Sequence, residues 1–462
     1  MIVYKEPLKN NKMNTIIRNA TIINEGKIFN SDIFIKNERI EKISSSISID
    51  PQSNFHEING ENLHLIPGMI DDQVHFREPG LTHKATIFDE SKAAIAGGVT
   101  SFMDMPNTIP NTITLDLLEE KFDIASKNSL ANYSFFMGIC QDNFEELLKV
   151  DNEKVCGISD DGLYFNNENS IIANHPEFLE KLFSNSNSLI ALHSEDEHIV
   201  NQNLAKYSKE YGENIPFSMH AKIRTEEACI LATERILKIA KRTNCRLHIL
   251  HLTTGHEANL MENNIPLSKK RITSEVCIHH LWFNEDDYES KGAMIKWNPS
   301  IKSKENQKEL LKALLDNKVD IIASDHAPHL ISEKKGNYRQ SMSGGPLVQH
   351  SLSALLEMHH KKMISLAEIV QKTSHNVAEI YKIKERGYIR EGYYADLALI
   401  DLHSPWKVSH ENILYKCGWS PFDEVCFQSK VDKTFVNGSL IYDNGIFKPT
   451  INGKRLLFNK DR

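Results

Sequence analysis

Two textures alternate along the chain. From 13 to 66, in NTIIRNATIINEGKI, DIFIKNERIEKI and NLHLIPG, apolar and polar residues take turns between Asn-Glu-Gly and Asn-Gly breaks. A period of two puts every second side chain on one face, so these runs predict short antiparallel strands. The far end repeats the pattern in ADLALIDL, DKTFVNGSLIYDNGIF and the closing residues, again joined by Asn-Gly turns. The two ends therefore predict one small β-sandwich domain assembled from both termini, residues 1–66 with 387–462.

The middle, 67–386, reads differently. Eight apolar runs recur: LIPGMIDDQVHF, VTSFMDMP, NYSFFMGI, KVCGISDD, LIALHSE, CRLHILHL, RITSEVCIHH and VDIIASDHAPH. Amphipathic stretches follow them. The clearest, between the fifth and sixth runs, sets Ala228, Leu231, Ala232, Ile236, Ile239 and Ala240 at helical spacing. Eight strand-helix units predict an α/β fold, a (β/α)8 TIM barrel.

Length and charge narrow the picture. The chain of 462 residues suits a barrel with one further domain. A net charge of -8 gives no large cationic field, which excludes nucleic acid and anionic lipid as partners. No apolar run approaches the ~18 residues of a membrane span, and MIVYKEPLKNNKMNT has no apolar signal core, so the expectation is a cytoplasmic protein. The first twelve residues read as a dispensable extension. Seven cysteines form no CxxC pair, and several lie in apolar runs as reduced core thiols do.

Chemistry in such a barrel sits where the strands finish. The first run ends in Gln73, His75 and Arg77, the second in Asp104 and Asn107, and the fourth in Asp160 and Asp161. His193, His251, the pair His279 and His280, and Asp325, His326 and His329 close the fifth to eighth. Singly, each has an ordinary explanation: a hydrogen-bonded core histidine, a helix-capping aspartate, a turn asparagine, or an Arg77 paired with Glu78 or Asp71. Jointly, imidazoles and carboxylates recur at one end of one barrel, which points to a metal site. Histidines with carboxylates suit borderline divalent metals, zinc first, and metal-assisted hydrolysis. His248 reads as a core residue or one that supports a ligand. His83, His198, His220, His256, His350, His359 and His360 read as surface residues.

These segments resemble a known family. IPGMIDDQVHFREPG, MPNT, ISDDG, LHSED, LHILHLTTG, CIHHLWF, KWNPSIK and SDHAPH together are similar to the bacterial dihydroorotases of the long, class I type, in the amidohydrolase superfamily. GYIREGYYADLALID and TFVNG resemble the return strands of that superfamily's β-sandwich. The resemblance implies metal ligands at His75, Asp161, His193, His251 and Asp325. Asp161 would bridge the metals, the task that a carboxylated lysine performs in many relatives where this chain has Ser159. Asp325 is implied as the catalytic base and then acid. Arg77, Asn107 and His329 are implied as a clamp on a substrate carboxylate. Asn298 and the backbone amides of Gly344 and Gly345 are implied as contacts to a pyrimidine ring. The implied reaction is reversible closure of N-carbamoyl-L-aspartate to L-dihydroorotate in pyrimidine synthesis, with one or two zinc ions per chain.

One position departs from the family. Its first strand reads His-x-His, and here the first of the pair is Gln73. This leaves a second class open: dihydroorotase-like chains that have lost ligands and persist as non-catalytic scaffolds for aspartate carbamoyltransferase. A homodimer and association with that transferase are the partner states the resemblance admits. A third reading is another cyclic amidase, a hydantoinase or allantoinase. Arg77 and Asn107 speak against it, because a neutral hydantoin has no carboxylate for them to bind. The polar, glycine-bearing segment 330–346 reads as a loop able to order over a substrate.

Overall fold

Eight strands occupy the centre of the molecule: Met69–Val74, Val99–Asp104, Asn132–Gly138, Gly157–Ser159, Ile190–Leu192, Leu247–Ile249, Ile272–Cys277 and Ile321–Ala323. In the computed structural model, which describes residues 14–50, 54–163, 175–448 and 453–459, each pairs in parallel with the next. The ring closes where His326 bridges Val74 and the His75 amide donates to the His326 carbonyl at 2.8 Å. These are the eight apolar runs of the sequence, and the fold is a (β/α)8 barrel. Parallel strands of such a barrel are covered on both faces. Accordingly every residue of Met69–Val74, Val99–Asp104 and Asn132–Gly138 is buried, Asp71, Asp72 and Asp104 included. The proposed extension, 1–12, lies outside the described residues.

A second, nine-stranded sheet draws on both ends of the chain. Its junction is His64–Pro67, which runs parallel to Asn14–Asn24 and antiparallel to Leu397–Asp401. One face, with Ile17, Ile22, Ile35, Leu65, Leu397 and Phe435, packs in a core of its own. The other face joins the barrel core through Ile23, Ile66, Ala398 and Val436. Gly68 carries the chain from this sheet into the barrel, and any Cβ there would lie 2.2 Å from the Thr100 side chain. The described closing residues, 453–459, do not extend the sheet. Leu456 donates to the Tyr133 carbonyl at 2.8 Å and Phe458 to that of Glu153 at 3.0 Å, so this segment lies along the barrel. All seven cysteines are free thiols. Among the described residues no helix is long and apolar enough to cross a membrane.

The helix Glu226–Thr243 starts on the Thr225 side chain, which accepts from the Ala228 amide, and stops at Asn244 in the left-handed region. It buries Ala228, Ala232, Ile236, Ile239 and Ala240 as the spacing predicts. Leu231 is a correction. It is 40% exposed, because it falls on the far side of the helix from the four-residue ladder of its neighbours. Ile236→Ala should therefore cost about 2–5 kcal/mol in urea unfolding, and Leu231→Ala no more than about 0.5 kcal/mol. Equal losses would contradict this assignment of faces.

Candidate metal centre

Asp161, His193 and His251 leave three successive strands and converge, each offering a buried ligand atom within 4.8 Å of the other two. His193 Nδ1 lies 3.0 Å from His251 Nε2, which is 3.9 Å from Asp161 Oδ1. The other ring nitrogen of His193 lies 3.1 Å from Glu195 Oε2, and Glu195 is itself paired with Arg224. Burial opposes the charge of Glu195, but Arg224 together with His193 and Lys302 holds it well below the usual carboxylate range. The Glu195 carboxylate faces Nε2 of His193 and so orients the ring with Nδ1 turned toward His251. Imidazole nitrogens and a carboxylate converging in a dry site fit a borderline divalent metal. The His251 amide donates to Glu275 Oε1 at 3.1 Å, which fixes a backbone at φ 35.

His75 stands beside this set. Its Nδ1 is 2.7 Å from Asn107 Oδ1, and its Nε2 is 3.3 Å from Asp161 Oδ2 and 3.2 Å from Asp325 Oδ1. Burial opposes charge on this ring, but hydrogen bonds to Asp161 and Asp325 outweigh it and lift its pKa to about 10. His251 rises to about 9 in the same way, Asp161 prevailing over burial. Without a metal, protons on these rings neutralise the carboxylates, and metal binding displaces them. Asp325 is buried, which raises its pKa against the pull of His75.

His75, Asp161 and Asp325 border a cavity of about 320 Å³, lined also by Arg77, Asn107, Asn298, His329 and Gly344, with Lys296, Trp297, Arg339 and Ser341 among the others. Arg77 does not pair with Glu78 or Asp71. Its Nε donates to the Pro328 carbonyl at 3.1 Å and its Nη2 lies 3.2 Å from His329 Nε2. Burial, and then Arg77, push His329 down to about 3, so its ring is neutral. Asn298 Oδ1 is buried with no hydrogen-bond partner among the described residues. Gly344 reaches the cavity wall, but its amide already donates to the Lys296 carbonyl at 2.8 Å. Gly345 sits behind it, where a Cβ would press on Trp297 and Trp419.

Residues 64–441 match the model of the Amidohydrolase family. The chain belongs to the amidohydrolase family. A dihydroorotase of Methanosphaera stadtmanae is 31% identical over 440 residues, covering 94% of this chain and 98% of that one. An allantoinase of Desulfitobacterium hafniense is 29% identical, covering 96% and 98%. The L-hydantoinase of Arthrobacter aurescens superposes with a TM-score of 0.87 at 22% identity, covering 96% of this chain and all of that one, and so shares the fold.

Several strand-end residues of this amidohydrolase serve the scaffold. Asp104 accepts from the Phe76 amide at 2.6 Å and pairs with the fully buried Lys121. Asp160 accepts from the His193 amide at 3.0 Å, and burial raises its pKa to about 8. His326 pairs with Glu90 at 2.9 Å. His279 stacks on Trp297 with ring centroids 4.6 Å apart, and His280 Nε2 lies 3.3 Å from the Pro299 carbonyl. His248, as expected for a supporting residue, is fully buried, 2.8 Å from Thr273 Oγ1 and 3.2 Å from Glu275 Oε2.

Two histidines read as surface residues are buried. His220 bridges Tyr338 Oη at 2.7 Å and the Trp297 carbonyl at 2.6 Å. His350 Nδ1 is 3.1 Å from both Tyr415 Oη and Ser420 Oγ. The segment 330–346 is anchored by buried lysine amino groups. Lys296 donates to the Tyr338 and Ser341 carbonyls, and Lys334 to those of Met342 and Gly344. Sequence reasoning passed over Glu195, whose place two residues beyond a candidate ligand was the available signal.

Proposed function

We propose that this amidohydrolase is a zinc-dependent dihydroorotase that interconverts N-carbamoyl-L-aspartate and L-dihydroorotate in the cytoplasm, a step of pyrimidine synthesis. The observation that carries the reading is Arg77. It is 6% exposed, lines the cavity, and has no carboxylate within ion-pair distance among the described residues. A buried guanidinium without a counter-ion is costly unless a ligand supplies one. The carboxylate of dihydroorotate does so, and a neutral hydantoin does not. The dihydroorotase relative supports the same choice.

Asp161, His193 and His251 would hold a divalent metal, which would supply polarisation of the substrate carbonyl and a water whose pKa is lowered to about 7. Asp325 takes the proton of the attacking water as its oxygen bonds to the ring carbonyl carbon. It returns that proton to the ring nitrogen as the C–N bond breaks. Ring closure runs the same transfers backwards. Arg77, Asn107 and His329 hold the carboxylate, and the unpartnered Asn298 Oδ1 accepts a ring N–H.

The test is turnover of dihydroorotate, hydantoin and allantoin by one purified, metal-analysed sample. Dihydroorotate should be preferred by at least about 100-fold in kcat/KM, the order expected when a site built around a charged group meets a substrate lacking it. Preference for a neutral ring would overturn the assignment. Failure to turn over any of the three after added zinc would favour the scaffold for aspartate carbamoyltransferase, read out by co-purification with that enzyme.

A further inference from the structure

We propose that this chain holds a single tightly bound metal, at Asp161, His193 and His251, and that Gln73 is the reason. The proposal rests on the metal-dependent reading above and specifies its stoichiometry.

Gln73 and His75 lie two residues apart on the first barrel strand and its end, so both project toward the centre. Both are buried, at 0% and 4% exposure. The Gln73 amide is committed at each end. Its Nε2 donates to Asp161 Oδ2 at 3.1 Å, and its Oε1 accepts from Cys277 Sγ at 3.4 Å. Reversing the amide would set its carbonyl oxygen against the Asp161 carboxylate and forfeit the stronger bond. The one atom of Gln73 able to ligate a metal therefore points away from the site, toward Cys277.

Asp161 is divided as a result. Oδ1 faces His251, while Oδ2 accepts from Gln73 and lies beside His75. On the first side stand two imidazoles, one of them oriented by Glu195. On the second, His75 and Asp325 remain with an Asp161 oxygen already engaged by an N–H. His75, Asp161 and Asp325 do not form a converging set of the kind Asp161, His193 and His251 form among the described residues. On that side one imidazole and one carboxylate, 3.2 Å apart, are left beside the engaged Asp161 oxygen.

Elemental analysis of the purified, dialysed holoenzyme should give one metal per chain, and Gln73→His should give two. Manganese-loaded protein supplies an independent reading by electron paramagnetic resonance: an uncoupled spectrum for the natural chain and an exchange-coupled pair for Gln73→His. Two tightly held metals in the natural chain would overturn the proposal while leaving the metal-dependent hydrolase intact. No bound metal would overturn both. The manganese spectrum of the natural chain decides the matter even if Gln73→His fails to fold.

Discussion

In Asp325→Asn, turnover of dihydroorotate, the substrate proposed above, should fall by about 10³-fold, within the 10²–10⁴ that a positioned acid–base group contributes, with metal content unchanged. Asp325 follows the eighth barrel strand in a left-handed turn at φ 48. Asparagine tolerates that conformation best after glycine, so the variant isolates proton transfer from backbone strain. The carboxylate is buried, lines the cavity and bonds His75 at 3.2 Å. Burial raises its pKa, which brings a carboxyl closer to the range where it can both take and return a proton near neutrality. Asparagine keeps the shape and loses both transfers. Steady-state kinetics with metal analysis on the same sample separates the two roles of this residue. Loss of metal in step with activity would make Asp325 chiefly a ligand, and full activity would remove it from the chemistry.

The barrel was legible because its strands are buried on both faces and so appear as largely apolar runs, nearly all ending in polar or titratable residues. The converging cluster was legible for a related reason: His193 follows its strand directly, and Asp161 and His251 stand two residues beyond theirs. What stayed hidden depends on partners distant in the chain. His220 and His350 resemble solvated histidines until Tyr338, Trp297, Tyr415 and Ser420 are brought against them. Lys121, Lys296 and Lys334 are buried amino groups that no local pattern marks, since each is satisfied by carbonyls or a carboxylate distant in the chain or the fold. Asp104 stands at a strand end like Asp161 but neutralises Lys121. Position alone identifies where a functional residue could stand, and long-range pairing decides whether it is free to function. The role of Gln73 is of this kind: the sequence shows that a histidine is missing, and only Cys277 and Asp161 reveal which way its amide faces.

Arg77→Gln should lower kcat/KM for dihydroorotate by about 10²–10³-fold. Breaking a buried, hydrogen-bonded charge pair by removing one partner costs about 3–5 kcal/mol, and each 1.4 kcal/mol is a factor of ten. Hydrolysis of neutral dihydrouracil or hydantoin by the same variant should change less than about tenfold, because those rings offer Arg77 nothing to hold. Arg77→Lys should recover only part of the loss, since an ammonium keeps the charge but not the two-pronged geometry that matches a carboxylate. Stability should move the other way. Burial pulls the Arg77 pKa below its ordinary value, and the nearby carboxylates of Asp104 and Asp325 only partly offset this. Without substrate the guanidinium is therefore a strained, under-compensated charge, so Arg77→Gln should unfold at a slightly higher temperature than the natural chain. A residue kept for packing would show the opposite pair of results, with lower stability and equal losses on charged and neutral substrates. Greater stability joined to a loss confined to the carboxylate-bearing substrate identifies a binding site that holds its cation in readiness for an anion.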